Sequence, residues 1–173
     1  MYTAIDRDVY IYRLEATIEE IGALIIKYRF KRSLVVFDQQ IDPEELEKLK
    51  MGLTKYGVEY RLYEARNVSF HLIDDGYRMC LSDKIDSVIG IGALSALDCA
   101  KGINLLRFNG GSIQKYTNPN ARKNPGSGLF CVPLINGDDG QLLLSLKVMG
   151  NSQEERFNIE CYCNYHIKIT KPE

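Results

Sequence analysis

Residues 89–101 combine the sequence features best suited to chemistry: an apolar run, a turn of small residues and a helical pattern. A strand that passes through such a turn into a helix directs backbone N–H groups and the positive end of the helix toward one point. Gly92 lies in the turn, and Ser95 follows it in the first helical turn. The segment predicts a binding site for a phosphate group, and close packing between a strand and a helix is the alternative interpretation.

Cysteine and histidine residues are too few to indicate a metal centre. The chain has five cysteines and two histidines. Cys161 and Cys163 would share one face of a strand and, with His166, could form half of a zinc site. A structural zinc site needs four ligands and usually a wider spacing between paired cysteines, so we interpret these thiols as buried in a strand. We predict no catalytic residue, no metal ligand and no disulfide framework.

Alternating strand and helix patterns provide the framework that positions the 89–101 segment. The helices are predicted at 17–28, 42–56, 68–82 and 95–108, and the strands at 33–37, 58–63 and 85–91. This repeated order predicts an α/β fold whose parallel sheet carries helices on both faces. Ligands of such sheets bind beyond the carboxyl ends of the strands, which directs attention to the loops after Phe37 and Ile91.

The pattern changes after Gly111. A polar loop at 116–128 precedes an apolar strand at 130–134. Two further strand-like runs, at 141–149 and 156–169, flank a turn at 150–152. We therefore expect a C-terminal antiparallel β ribbon instead of another strand–helix unit.

Length, charge and hydropathy exclude several classes of protein. A chain of 173 residues corresponds to one domain, 1–173. The 22 basic and 23 acidic residues give a net charge of −1, so we expect no nucleic-acid partner. No apolar run is long enough to span a membrane and the N-terminus does not read as a signal peptide, so we expect no membrane partner and a cytoplasmic location.

The 90–101 segment resembles the Gly-Gly-Gly-Ser-x-x-Asp-x-x-Lys motif of the iron-containing alcohol dehydrogenase family, which includes glycerol dehydrogenase and is related in fold to dehydroquinate synthase. Phe37-Asp38 is similar to the family's Thr-Asp, and 133–141 falls where the family has Pro-Thr-Thr-x-Gly-Thr-Gly-Ser-Glu. The resemblance covers essentially the whole chain in order. It implies a Rossmann-like N-terminal NAD(P)-binding domain, with the family's C-terminal metal-binding helical domain absent.

Residue by residue, the resemblance implies a degenerate cofactor site. Asp38 matches the acid that binds the adenosine ribose, and the remaining cofactor-binding positions are Gly92, Ala93, Leu94, Ser95 and Asp98. Each has an alternative structural interpretation: Asp38 could cap a turn, and Asp98 suits the first turn of any helix. We expect Lys101, which matches the motif's lysine, to be solvated.

Two departures from the family pattern argue against tight cofactor binding. Ala93 and Leu94 replace the family's second and third glycines, which leave room for the phosphates. Asp138 and Asp139 replace Thr and Gly, and a carboxylate 4 Å from a phosphate charge costs about 4 kcal/mol at an effective dielectric constant of about 20. We expect weak NAD(P) binding or none, and no metal in this chain.

Three functions remain open. A plain nucleotide-binding module outside redox chemistry needs the same phosphate loop and shares the weakness of that loop. Of the other two, the first is a truncated or degenerate dehydrogenase domain, not catalytic by itself, with an assembly or regulatory role. The alternative is a working NAD(P)-binding domain of an iron- or zinc-dependent alcohol or glycerol dehydrogenase, whose helical domain lies on a missing segment or a partner chain. We also expect a homodimer, because Val9–Tyr12 is apolar on both faces and an uncovered edge strand of that kind tends to pair.

Overall fold

The computed structural model describes residues 2–6, 9–152 and 154–171. Within them, seven strands form one sheet in the order β1-β2-β9-β6-β5-β3-β4, and β7 and β8 form a separate ribbon. The strands are β1 (Tyr2–Asp6), β2 (Val9–Ala16), β3 (Arg32–Phe37), β4 (Glu59–Glu64), β5 (Ser87–Gly92), β6 (Leu129–Pro133), β7 (Ser145–Met149), β8 (Arg156–Glu160) and β9 (Tyr165–Ile169). The helices are α1 (Ile21–Lys27), α2 (Pro43–Lys55), α3 (Phe70–Asp83) and α4 (Leu94–Asn109).

The sheet has a parallel core. Strands β2, β9, β6, β5, β3 and β4 pair in parallel, and only β1 joins the described sheet in the antiparallel direction. Between residues 32 and 92, each connection from one parallel strand to the next contains a helix, as strand–helix–strand units require. The predicted parallel α/β sheet is confirmed.

Helices cover both faces of the sheet because its central strands are apolar on both sides. In β3, Val35 packs with one buried cluster, to which α1 and α2 contribute Ile21, Ile25 and Leu49. Its neighbour Leu34 packs with the other cluster, to which α3 and α4 contribute Ile73, Leu97 and Ile103. The continuous apolar run at 33–37 thus reflects a strand buried on two faces.

The strand that contains Val9–Tyr12, β2, is not an uncovered edge, so the reason given for strand-mediated pairing is wrong. The antiparallel β1 pairs with one side of β2, and the parallel β9 pairs with the other. In the described sheet the edges are β1 and β4.

The C-terminal ribbon is confirmed, but it is shorter than the sequence predicted. β7 and β8 pair antiparallel from Ser145↔Glu160 to Met149↔Arg156. The first part of the predicted strand at 141–149 is a π-helical turn over Gly140–Leu144. The last part of 156–169 is β9, which enters the main sheet between β2 and β6.

None of the helices in the described residues has both the length and the apolar character needed to cross a membrane.

Candidate functional site

The loops after β3 and β5 meet at the carboxyl edge of the sheet, as the sequence predicted. Phe37 and Ile91 are register partners on these neighbouring parallel strands. The next residues along the chain, Asp38 and Gly92, are therefore adjacent. α4 begins two residues after Gly92, so its N-terminus opens at the same point.

The Asp38 side chain binds the N-terminus of α4. Its carboxylate accepts hydrogen bonds from the backbone N–H of Ala93 and of Ala96, each at 3.0 Å. It also accepts one from the Gln40 backbone at 3.0 Å, and the residue is only 5% exposed. A negative charge is stabilised at this end of a helix, and here Asp38 supplies it.

Gly92 makes this contact possible. Its φ of +141° lies in a region that side chains disfavour. A Cβ added to Gly92 would lie 2.2 Å from Oδ1 of Asp38. The glycine is thus required by the backbone conformation and by the carboxylate beside it.

The residues that replace the motif's glycines line the start of α4. Ala93 is the N-cap residue, without a side-chain hydrogen bond, and Leu94 is the first residue of the helix. Leu94 is half-buried, packs against the buried cluster of α3 and α4, and with Asp98 lines a cavity of about 50 Å³. Ser95 is half-buried one residue further on. The six predicted positions therefore lie together around one helix terminus.

Lys101 is not solvated, and that expectation is wrong. The residue is fully buried, and its ammonium group donates hydrogen bonds to the carbonyl oxygens of Gln141 and Leu142, each at 3.0 Å, and of Ser145. These carbonyls belong to the π-helical turn and the start of β7. The turn replaces the predicted strand because Lys101 satisfies carbonyl groups that a strand would pair in a sheet.

Asp98 balances the charge of Lys101. Its Oδ1 lies 3.1 Å from Nζ of Lys101, as an ionic contact, since the ammonium protons go to the carbonyls. Burial raises the pKa of the Asp98 carboxyl, and the charge of Lys101 opposes that rise. The sequence contains a signal that could have predicted this pair. Asp98 and Lys101 are opposite charges three residues apart in an apolar stretch of a helix, and such a pattern indicates a buried pair.

The loop at 133–141, which we call the second loop, carries two acids that already have partners. Asp138 accepts a hydrogen bond from the Gln141 backbone at 3.0 Å, and Asp139 forms an ion pair with Arg13. Arg13 also donates to Nδ1 of His166 at 2.9 Å, since a guanidinium has only donors. Sequence reasoning missed this cluster because Arg13 and Asp139 are 126 residues apart.

His166 makes stability dependent on pH. Burial and the positive charge of Arg13 lower the pKa of its imidazole from 6.5. The unfolded chain therefore takes up a proton first as the pH falls below 6.5, and the folded state loses stability until its own lowered pKa is reached. We expect His166→Gln to flatten the fall in unfolding free energy between pH 6.5 and 5, measured by urea titration. His71→Gln, at an exposed position on α3, is the control and should leave that fall unchanged.

The cysteines are all free thiols and all buried, as expected. Cys161 and Cys163 lie in the connection between β8 and β9, not on a strand. Among residues 2–6, 9–152 and 154–171, no group of three or more His, Cys, Asp or Glu side chains is placed to hold a metal ion.

Comparison with known proteins identifies one family. The family described as "Iron-containing alcohol dehydrogenase" matches residues 10–154. Alcohol dehydrogenase 4 of Schizosaccharomyces pombe is 31% identical over 116 residues, which are 65% of this chain and 28% of that protein. Sulfoacetaldehyde reductase of Bilophila wadsworthia is 24% identical over 153 residues, or 82% of this chain and 39% of that protein.

Solved structures share the fold. NADH-dependent butanol dehydrogenase A of Thermotoga maritima superposes with a TM-score of 0.82 at 16% identity, over 96% of this chain and 44% of that one. The chain thus spans less than half the length of each of these relatives.

Proposed function

The chain belongs to the iron-containing alcohol dehydrogenase family and corresponds to its N-terminal domain, and on that basis we propose that its nucleotide site is closed by its own Asp38. In this proposal the domain binds NAD(P) weakly or not at all. It is not catalytic by itself and serves an assembly or regulatory role.

The position of the Asp38 carboxylate carries the proposal. A cofactor phosphate would need the backbone N–H groups at the start of α4, and two of these already donate to Asp38. The carboxylate is nearly inaccessible to solvent and holds a charge of the same sign as the phosphate. A phosphate must therefore displace Asp38 or accept its repulsion.

Leu94 adds a steric obstacle at the same terminus. Its side chain occupies the start of α4, where a glycine would leave the backbone open to a ligand. The acids of the second loop contribute less than their sequence suggests, because Arg13 compensates the charge of Asp139. The proposal therefore depends on Asp38 and Leu94 more than on Asp138 and Asp139.

The alternative is a working NAD(P)-binding domain that depends on a helical domain from elsewhere, and one observation favours it. The first turn of a helix has more N–H groups than the two that Asp38 accepts, and those of Leu94 and Ser95 belong to that turn. In this alternative Asp38 turns from α4 to a ribose hydroxyl when the cofactor binds. The two proposals then assign opposite effects to the removal of Asp38.

Calorimetric titration of Asp38→Ala with NADH and NADPH separates the two. If Asp38 blocks the site, the unmodified chain binds with a millimolar dissociation constant or not detectably, and the variant binds at least tenfold more tightly. Adding Ala93→Gly and Leu94→Gly should strengthen binding further. The loss of a helix cap costs about 0.5–2 kcal/mol of stability, which a thermal melt of each variant would register.

The opposite result would support the working domain. Low micromolar binding by the unmodified chain, lost in Asp38→Ala, would overturn the closed site. Asp138→Asn is a matched control because it removes a carboxylate from the second loop without touching α4.

We also propose that the domain forms homodimers in the cytoplasm. At the N-terminal end of the described sheet the edge strand is β1, not β2, and the backbone of β1 is paired on one side only. An edge of this kind pairs readily with another chain. Light scattering at tens of micromolar should give the mass of a dimer, and the mass of a monomer would contradict the proposal.

A further inference from the structure

A cavity of about 260 Å³ lies further along α4 than the Asp38 contact, toward the C-terminal half of the helix. Lys101, Asn104 and Leu105 form its floor, since they share one stripe of the helix. The loop at 123–125 forms one wall, and the β8–β9 connection at 160–162 forms the other. We call it the α4 cavity.

Hydrogen bonds hold the walls of the α4 cavity in place. Lys123 Nζ donates to the Glu160 carbonyl at 2.9 Å and so joins one wall to the other. Asn109, near the end of α4, exchanges hydrogen bonds with the backbone of Asn124, at 2.7 Å to its N–H and 3.0 Å to its carbonyl. The cavity is therefore formed before any ligand binds, as small-molecule sites usually are.

Asn104 supplies an unused donor inside the cavity. It is only 2% exposed, and its Oδ1 accepts a hydrogen bond from Arg107 at 2.7 Å. That bond fixes the amide orientation, so Nδ2 is directed away from Arg107. Among the described residues, no acceptor forms a hydrogen bond with this Nδ2. Nδ2 is not among the buried polar atoms that lack a partner, so it opens onto the cavity and can donate to a ligand acceptor.

The ammonium group of Lys123 favours an anion over a neutral acceptor. Lys123 uses one of its three ammonium protons on the Glu160 carbonyl and keeps two for a ligand. Arg107 polarises the Asn104 amide and strengthens it as a donor. Lys101 is neutralised by Asp98. The Glu160 carboxylate keeps its charge, but it accepts from the phenol of Tyr162 and, among the described residues, forms no ion pair with Lys123, which leaves Lys123 able to pair with an anion.

The rest of the lining is suited to an apolar body. Leu105, Pro125, Cys161, the ring of Tyr162 and the hydrocarbon part of Lys101 contribute apolar surface. We propose that the α4 cavity binds a small monocarboxylate, with its carboxyl group between Asn104 Nδ2 and Lys123 Nζ and its apolar chain against Leu105 and Pro125. This site is independent of the proposed closure of the nucleotide site.

Titration with straight-chain carboxylates tests the proposal. We expect butanoate, hexanoate and octanoate to bind with affinity that rises roughly fourfold per added methylene and then levels off as the cavity fills. 1-Octanol should bind at least tenfold more weakly than octanoate. Amide chemical shifts in ¹H–¹⁵N spectra should change at 101–105, 123–124 and 160–162 and not at 92–96.

Two variants separate the carboxyl contacts from simple apolar binding. Lys123→Met removes the ammonium group from a partly exposed loop position, and Asn104→Asp keeps the Arg107 contact but turns the donor into an acceptor. Each should weaken octanoate at least tenfold and leave 1-octanol unchanged. Equal binding of octanoate and 1-octanol, unaltered octanoate affinity in Lys123→Met, or shift changes confined to 92–96 would overturn the assignment.

Discussion

Replacing Lys101 by methionine is expected to lower the free energy of unfolding by about 3–5 kcal/mol, the cost of breaking a buried ion pair. The variant leaves the carboxylate of Asp98 buried without its counter-charge, 3.1 Å from where the ammonium group was. It also leaves the carbonyls of Gln141 and Leu142 without their donor. Urea unfolding followed by circular dichroism measures the loss.

The loss of stability in Lys101→Met should also affect the β8–β9 connection. Leu144 and Leu143 of the π-helical turn accept hydrogen bonds from the backbone N–H of Cys161, at 3.0 Å, and of Cys163, at 2.9 Å. Amide hydrogen exchange at these two cysteines should accelerate in Lys101→Met more than exchange in β3, because local opening is governed by local contacts.

Two companion variants make this expectation specific. Lys48→Met removes an exposed lysine from α2, 4.0 Å from Glu19, and should change stability by less than about 0.5 kcal/mol. Adding Asp98→Leu to Lys101→Met should recover part of the loss, because it removes the orphaned carboxylate. A cost below about 1 kcal/mol for Lys101→Met alone would show that the pair does not hold the turn.

The parallel sheet could be predicted from the sequence because its signals are local. Apolar runs such as 33–37 and a helix start such as Asp42-Pro43 depend on neighbouring residues, and their alternation determines the sheet type. The place of β9 could not be predicted in this way. It enters the sheet between β2 and β6, and nothing in 165–169 distinguishes that position from the ribbon edge.

The position of the candidate site could be predicted from the sequence, but the binding of the Asp38 carboxylate to the N-terminus of α4 could not. Asp38 and Gly92 follow strands that end at one edge, so their proximity follows from the fold. The contact of the carboxylate with α4 depends on its rotamer and on the room left by Gly92, and no local sequence pattern specifies either of them. The π-helical turn was missed for a related reason, since Lys101 and its acceptors lie at least 40 residues apart.

The contact between Asp38 and Gly92 predicts a second large effect. Gly92→Ala should destabilise the fold by about 1.5–5 kcal/mol. Holding alanine at a φ of +141° costs about 1–3 kcal/mol, and its Cβ would lie 2.2 Å from Asp38 Oδ1. Asp38 would have to leave α4, which adds the loss of a helix cap, about 0.5–2 kcal/mol.

A double-mutant cycle isolates the carboxylate's part of that cost. In an Asp38→Ala background the steric conflict is gone, so Gly92→Ala should cost about 1–2 kcal/mol less than in the unmodified chain. Gly111→Ala is the matched control, because its φ is +80° and no atom lies within 4 Å of an added Cβ. Gly111→Ala should lower the free energy of unfolding through backbone strain alone, and its effect should not be coupled to that of Asp38→Ala. If the effects of Gly92→Ala and Asp38→Ala were simply additive, the carboxylate would not lie against Gly92, and the closed nucleotide site would lose its structural basis.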